Sequence, residues 1–174
     1  MRPSHRLRPT IEGMEPKALL SGVGGGVIGT IVSHTLHLHG TVKGTYNEHQ
    51  ANPDTPKEYN LFGTGDLGLK ARTALAGSIH SGGFTTHPNA EGKIYLADAR
   101  GTITVKLTVD PKAGSTGGLA DTYDYTIVGG TGAYKNDTGK GTVVLTLDRT
   151  KPPTTTTGPT GKVQHGTFDM VFVG

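Results

Sequence analysis

Over residues 102–109 the chain alternates without a break. Ile103, Val105, Leu107 and Val109 share one parity, and Thr102, Thr104, Lys106 and Thr108 share the other. Successive side chains of a β-strand point to opposite faces, so this period of two is a strand with one buried and one solvated face. The same period returns along the chain. Leu36, Leu38, Val42 and Tyr46 oppose His37, His39, Thr41, Lys43 and Thr45. Tyr123, Tyr125 and Ile127 oppose Asp124 and Thr126. Val143, Leu145 and Leu147 form one more face, and Phe168, Met170 and Phe172 another. Residues 59–62, 66–76 and 93–97 are weaker candidates. Clusters of Gly, Pro, Asn and Asp separate these runs, and no window carries the period of an amphipathic helix. That makes about eight strands and predicts an all-β fold, an antiparallel eight-stranded barrel with a β-sandwich as the alternative.

Composition agrees with a thin architecture. Only 33% of the 174 residues are hydrophobic, and 28 glycines add no side chain to bury. The abundant Thr and Val suit a pleated, half-buried surface. There is no cysteine, which excludes disulfides, thiolate nucleophiles and Cys-ligated zinc. With no Trp and 6% aromatics, composition argues against an aromatic-lined sugar cleft or a base-stacking platform.

The net charge of +3 divides unevenly. Residues 1–30 hold Arg2, Arg6, Arg8 and Lys17 against Glu12 and Glu15. The rest of the chain is close to neutral and lacks the basic stripe of a nucleic-acid footprint. The most apolar early run, residues 18–32, is interrupted by glycines and falls short of the ~20 apolar residues of a spanning helix. Basic residues before a weakly apolar stretch read as an export signal. The division is therefore a flexible arm, 1–30, and a β domain, 31–174. Residues 47–57 include Asn52-Pro53-Asp54, and proline lacks the donor a central strand needs. Residues 150–162 include Lys151-Pro152-Pro153 and Gly158-Pro159 and read as a surface loop.

One motif carries family content. Tyr125 is followed by Gly129-Gly130-Thr131-Gly132-Ala133-Tyr134, and Gly139 and Gly141 then open the next strand. The glycines read as a tight turn with positive φ at Gly130 or Gly132, with Tyr134 folded back over the barrel end. No helix follows, so this is not a phosphate loop. Together with the run Gly101-Thr102-Ile103-Thr104-Val105, residues 92–147 resemble the allene-oxide-cyclase-like and dirigent-like barrels. The resemblance implies an eight-stranded antiparallel barrel, often dimeric or trimeric, whose cavity steers cyclisation or coupling of a lipid epoxide or a phenol radical. The cyclases' cavity includes a cysteine that this chain lacks, so no catalytic residue carries over. Separately, Met14-Glu15-Pro16-Lys17-Ala18-Leu19-Leu20-Ser21 resembles the Leu-Glu-Pro-Arg-x-Leu-Leu-Ser motif of exported and surface proteins of environmental bacteria, with Met for Leu and Lys for Arg.

The remaining constellations are weighed on geometry. His37 and His39 would share one strand face, with His34 nearby, as in metal-binding barrels. That face opposes Leu36, Leu38 and Val42, so exposed strand histidines are the simpler reading, and no metal or other cofactor is assigned. Asp98 and Arg100 are candidates for an ion pair at the rim of a narrow cavity. Tyr46 and Tyr125 are candidates to line it, although such tyrosines more often sit in a core. Ile103, Val105, Leu107, Tyr125, Ile127, Val143, Leu145 and Phe168 are predicted to face one core, with Thr104, Lys106 and Asp124 outside. No catalytic set emerges. The leading functional reading is an exported bacterial barrel at the cell surface or outside the cell, structural or binding a small apolar ligand. It takes no nucleic acid, and a homo-oligomer is open to it. The alternative is a barrel isomerase or cyclase on a lipid-like or phenolic substrate, and the third is a metal-binding barrel.

Overall fold

A computed structural model describes residues 33–50, 55–81, 91–116, 119–148, 156–158 and 161–174. The arm and the proline-containing segments at 52–54 and 151–155 lie outside the described residues. Eight long strands form, most of them on the predicted alternation. They are β1 (Gly40–Gln50), β2 (Glu58–Asp66), β3 (Thr73–His80), β4 (Glu91–Asp98), β5 (Gly101–Val109), β6 (Thr122–Gly130), β7 (Lys140–Asp148) and β8 (Gly161–Val173). A short ribbon pairs Ser115–Thr116 with Leu119–Ala120, and Thr156–Gly158 pairs with the start of β8.

Each long strand runs antiparallel to its neighbours in chain order, and β8 closes on β1 from Gly40↔Phe172 to Gln50↔Lys162. Closure decides for the barrel over the sandwich and leaves no open edge of the full sheet. Among the described residues no helix is long and apolar enough to cross a membrane.

The alternation was correct about the faces. All eight predicted core residues are buried, Lys106 and Asp124 are exposed, and Thr104 is partly so. Tyr46, Tyr59, Tyr123 and Tyr125 are also inside. An eight-stranded barrel is just wide enough for side chains to fill it, and here rings and glycines share the space. Tyr46 faces Gly166 across β1 and β8, and a Cβ at Gly166 would collide with the Tyr46 ring. Tyr125 faces Gly141 across β6 and β7, where a Cβ would lie 2.7 Å from the ring. Each ring lies over a strand position that has no side chain of its own, the arrangement that offsets the cost of glycine in a strand. Tyr125 also meets Phe172 edge-on at 5.7 Å between centroids.

Residues 66–76 depart from the predicted single strand. β2 stops at Asp66, whose carboxylate accepts the Gly68 N–H at 3.0 Å, and Gly68 turns with φ +72°. Leu67 is fully buried here and Leu69 packs against the core. The apolar alternation persists through the turn because both leucines help close this end of the barrel. The approach to β1 adds to the closure. The Leu36 N–H donates to Thr138 O at 2.7 Å, the Leu38 N–H to the Tyr125 hydroxyl at 3.1 Å, and the His39 N–H to Leu67 O at 3.3 Å.

Gly166→Ala is expected to cost about 1–3 kcal/mol in urea unfolding. In a Tyr46→Ala background the same change is expected to cost much less, because its clash partner is gone. Equal costs in the two backgrounds would show that the ring does not rest on Gly166.

Candidate functional site

β4 and β5 are joined by the turn Ala99-Arg100, and the glycine loop after β6 lies against that turn. Gly132 has φ +60°, and a Cβ there would strike the Arg100 carbonyl. Gly101 has φ +153° and stands equally close to the Thr131 carbonyl. Gly130 has no positive φ but packs against the Tyr134 carbonyl, while Gly129 faces open space. The Ala133 N–H donates to Arg100 O at 2.9 Å, the Thr131 N–H to Thr102 O at 2.8 Å, and the Thr102 N–H to Thr131 Oγ1 at 3.1 Å. The Gly-Gly-Thr-Gly motif is thus a clasp between two loops.

Three side chains lock the clasp. Asp98 ends β4 with its side chain fully buried. Its Oδ1 accepts the Arg100 N–H at 2.8 Å, and its Oδ2 accepts the Tyr134 hydroxyl at 2.5 Å and the Arg100 guanidinium at 3.3 Å. Arg100 Nη2 donates to the Tyr134 oxygen at 2.5 Å. Burial alone would raise the Asp98 carboxyl. The Tyr134 hydroxyl and the Arg100 N–H and guanidinium outweigh it and hold the carboxyl below its usual range. Burial, then the Asp98 carboxylate, pushes the Tyr134 hydroxyl up to about 12. A general acid or base works best with a pKa near the working pH, and these two groups are driven away from neutrality. The arrangement suits a fixed ion pair. The sequence anticipated a cavity mouth at Asp98 and Arg100; here Tyr134 fills that place and is itself buried.

The other tyrosines named from sequence lie elsewhere. Tyr125 sits midway along β6, where burial raises its hydroxyl. Tyr46 belongs to the opposite half of the barrel, in a polar cluster that sequence reasoning missed. Glu48 faces inward there, 9% exposed at its side chain, with Oε1 2.5 Å from Lys57 Nζ. It stands opposite Tyr59 across β1 and β2, whose ring is 6.0 Å from that of Tyr46. Tyr123 adds a buried hydroxyl, raised by burial and by neighbouring Tyr59 and Asp121. The signal for Glu48 was present: it continues the inward parity of Val42 and Tyr46.

The histidines do not converge. His37 and His39 are exposed, and His34 Nδ1 lies 3.5 Å from Asp137 Oδ1. Among the described residues no group of three His, Asp or Glu side chains could hold a metal ion. Comparison with protein-family models, with curated proteins and with solved structures finds no match.

Gly132→Val is expected to cost more than ~1 kcal/mol in a thermal or urea melt, because a β-branched residue is strained at positive φ. The Asp98 carboxyl has a depressed folded pKa, so its stabilisation is present above the unfolded value and lost as pH falls through the folded one. The stability gap between the native chain and Asp98→Asn is therefore expected to be flat above about pH 5 and to shrink below about pH 4. A gap independent of pH would mean that the latch does not use the charge.

Proposed function

We propose that the chain is an exported bacterial β-barrel module that acts at the cell surface, as a structural or binding element, through the outside of its barrel. The observation that carries this reading is the interior. Tyr46 and Tyr125 occupy the space over Gly166 and Gly141 that an apolar ligand would otherwise take. The Asp98–Arg100–Tyr134 latch, with charge states fixed around neutrality, supports a closed barrel end over a reaction site. The resemblance of residues 14–21 to an exported-protein motif supports the address.

A second reading, a barrel isomerase or cyclase on a lipid-like or phenolic substrate, draws on the resemblance over residues 92–147. One observation favours it: Glu48 places a carboxylate on the inner face, paired with Lys57 beside Tyr59.

Titration with a fluorescent apolar probe and with a long-chain fatty acid separates the two. The filled barrel is expected to give no saturable binding. One-to-one binding that Glu48→Gln alters would overturn the first reading in favour of the second. For the address, the native N-terminal segment is expected to send a C-terminally tagged chain out of the cytoplasm of a bacterial host. Retention of the tagged chain inside would count against export.

A further inference from the structure

We propose that the outer face of β3, β4 and β5 binds an acidic polysaccharide of the uronate type. This rests on the reading that the barrel works through its outside.

The argument begins with register. Lys93 on β4 stands directly opposite Lys106 on β5, and both are exposed. Like charges directly opposite each other destabilise a sheet. Neither lysine makes an ion pair among the described residues, whereas Lys43, opposite Asp169 across β1 and β8, pairs with it at 2.9 Å. The row continues through Thr126 to Lys140. Three cations in one row without carboxylates of their own fit an anionic partner.

Composition argues against an aromatic-lined cleft, whereas the features beside these lysines lie on an open face and fit a sugar chain laid across it. Ser78, His80, Glu91, Lys93, Lys106 and Val128 line a groove of about 370 Å³. Lys93 Nζ sits 5.5 Å from the centre of the Tyr95 ring, which is 43% exposed. Tyr95 continues through Ala76 to Phe62, which is 53% exposed. Val128 protrudes from a bulge where Thr104 pairs with Gly129 and Val105 with Ile127. Exposed flat rings beside cations offer stacking for the C–H face of a sugar and charge for its carboxylate. The groove's aliphatic and polar side chains flank the same place.

The adjacent row selects among polyanions. It runs Glu91, Thr108, Asp124 and Thr142, about 7 Å along the strands from the lysines. Glu91 and Asp124 also make no ion pair among the described residues. A bare phosphate backbone offers these carboxylates no donor. A polyuronate carries a carboxylate on every unit for the lysines, but each unit also bears free hydroxyls, and a hydroxyl donates to Glu91 or Asp124. Self-association fits less well, since lysine is depleted in protein–protein interfaces.

The test uses the full chain and polygalacturonate, with neutral dextran and a single-stranded oligonucleotide as comparisons, in affinity electrophoresis at about 0.1 M salt. Saturable retardation by polygalacturonate is expected, and none by dextran. Lys93→Gln/Lys106→Gln is expected to weaken it by roughly tenfold or more, Tyr95→Ala several-fold, and Lys43→Gln not at all. Melting curves confirm that each variant is folded. Absent retardation, equal retardation of the double variant, or tighter binding of the oligonucleotide would overturn the proposal. So would a double variant that loses self-association in sedimentation in place of glycan binding. None of these failures admits an apolar ligand to the interior, so the outside reading fails only on its own titration.

Discussion

The contact between a tyrosine ring and a facing glycine organises this barrel. An eight-stranded barrel has a fixed and narrow interior. Four tyrosines enter it from β1, β2 and β6, and two of them, Tyr46 and Tyr125, lie where a facing strand gives up its own side chain. Gly166 and Gly141 do so, each in register with the ring that covers it. Glycine in a strand weakens it through entropy and lost packing, and the ring restores the packing. This pairing reconciles the lean composition with a core of large side chains: Gly166 and Gly141 are the space into which two of them pack. It also ties register to core identity, because a one-residue slip would move each ring off its glycine and turn it to solvent.

The two halves of the barrel handle polarity differently. At the end that holds the latch, Asp98, Arg100 and Tyr134 satisfy one another and join the β4–β5 turn to the loop after β6. A buried carboxylate with several donors is stable only while all of them are present, so glycines that let the loops touch are part of the same device. Leu38, Leu67 and the approach to β1 complete that end. In the opposite half the charge is carried by Glu48 and Lys57 beside tyrosine hydroxyls. The outside has the reverse character: threonines cover much of it, and the lysines of β4 and β5 make no ion pair among the described residues.

The strand faces were legible because a side-chain period of two survives any barrel geometry. Ile103, Val105 and Leu107 had to travel together, as did Phe168, Met170 and Phe172. The turn after Asp66 was not legible, since Leu67 and Leu69 continue the alternation while plugging the barrel end. The positive φ at Gly132 followed from local chemistry, whereas the reason for it did not: the Arg100 carbonyl comes from a different hairpin. Asp98 and Arg100 were recognised as a pair, but their third member, Tyr134, lies 36 residues beyond Asp98, and period arguments do not reach across that distance. Glu48 was hidden by its charge, which reads as solvent-facing until the parity of its strand is followed to the end.

The central claim is that tyrosine rings fill the barrel by resting on glycines. Proton chemical shifts of Gly166 and Gly141 test it most directly, because an Hα beneath an aromatic face is shifted upfield by the ring current. The account predicts strongly upfield Hα resonances at both glycines, lost at Gly166 in Tyr46→Leu and at Gly141 in Tyr125→Leu. Ordinary strand shifts at both positions in the native chain would contradict it.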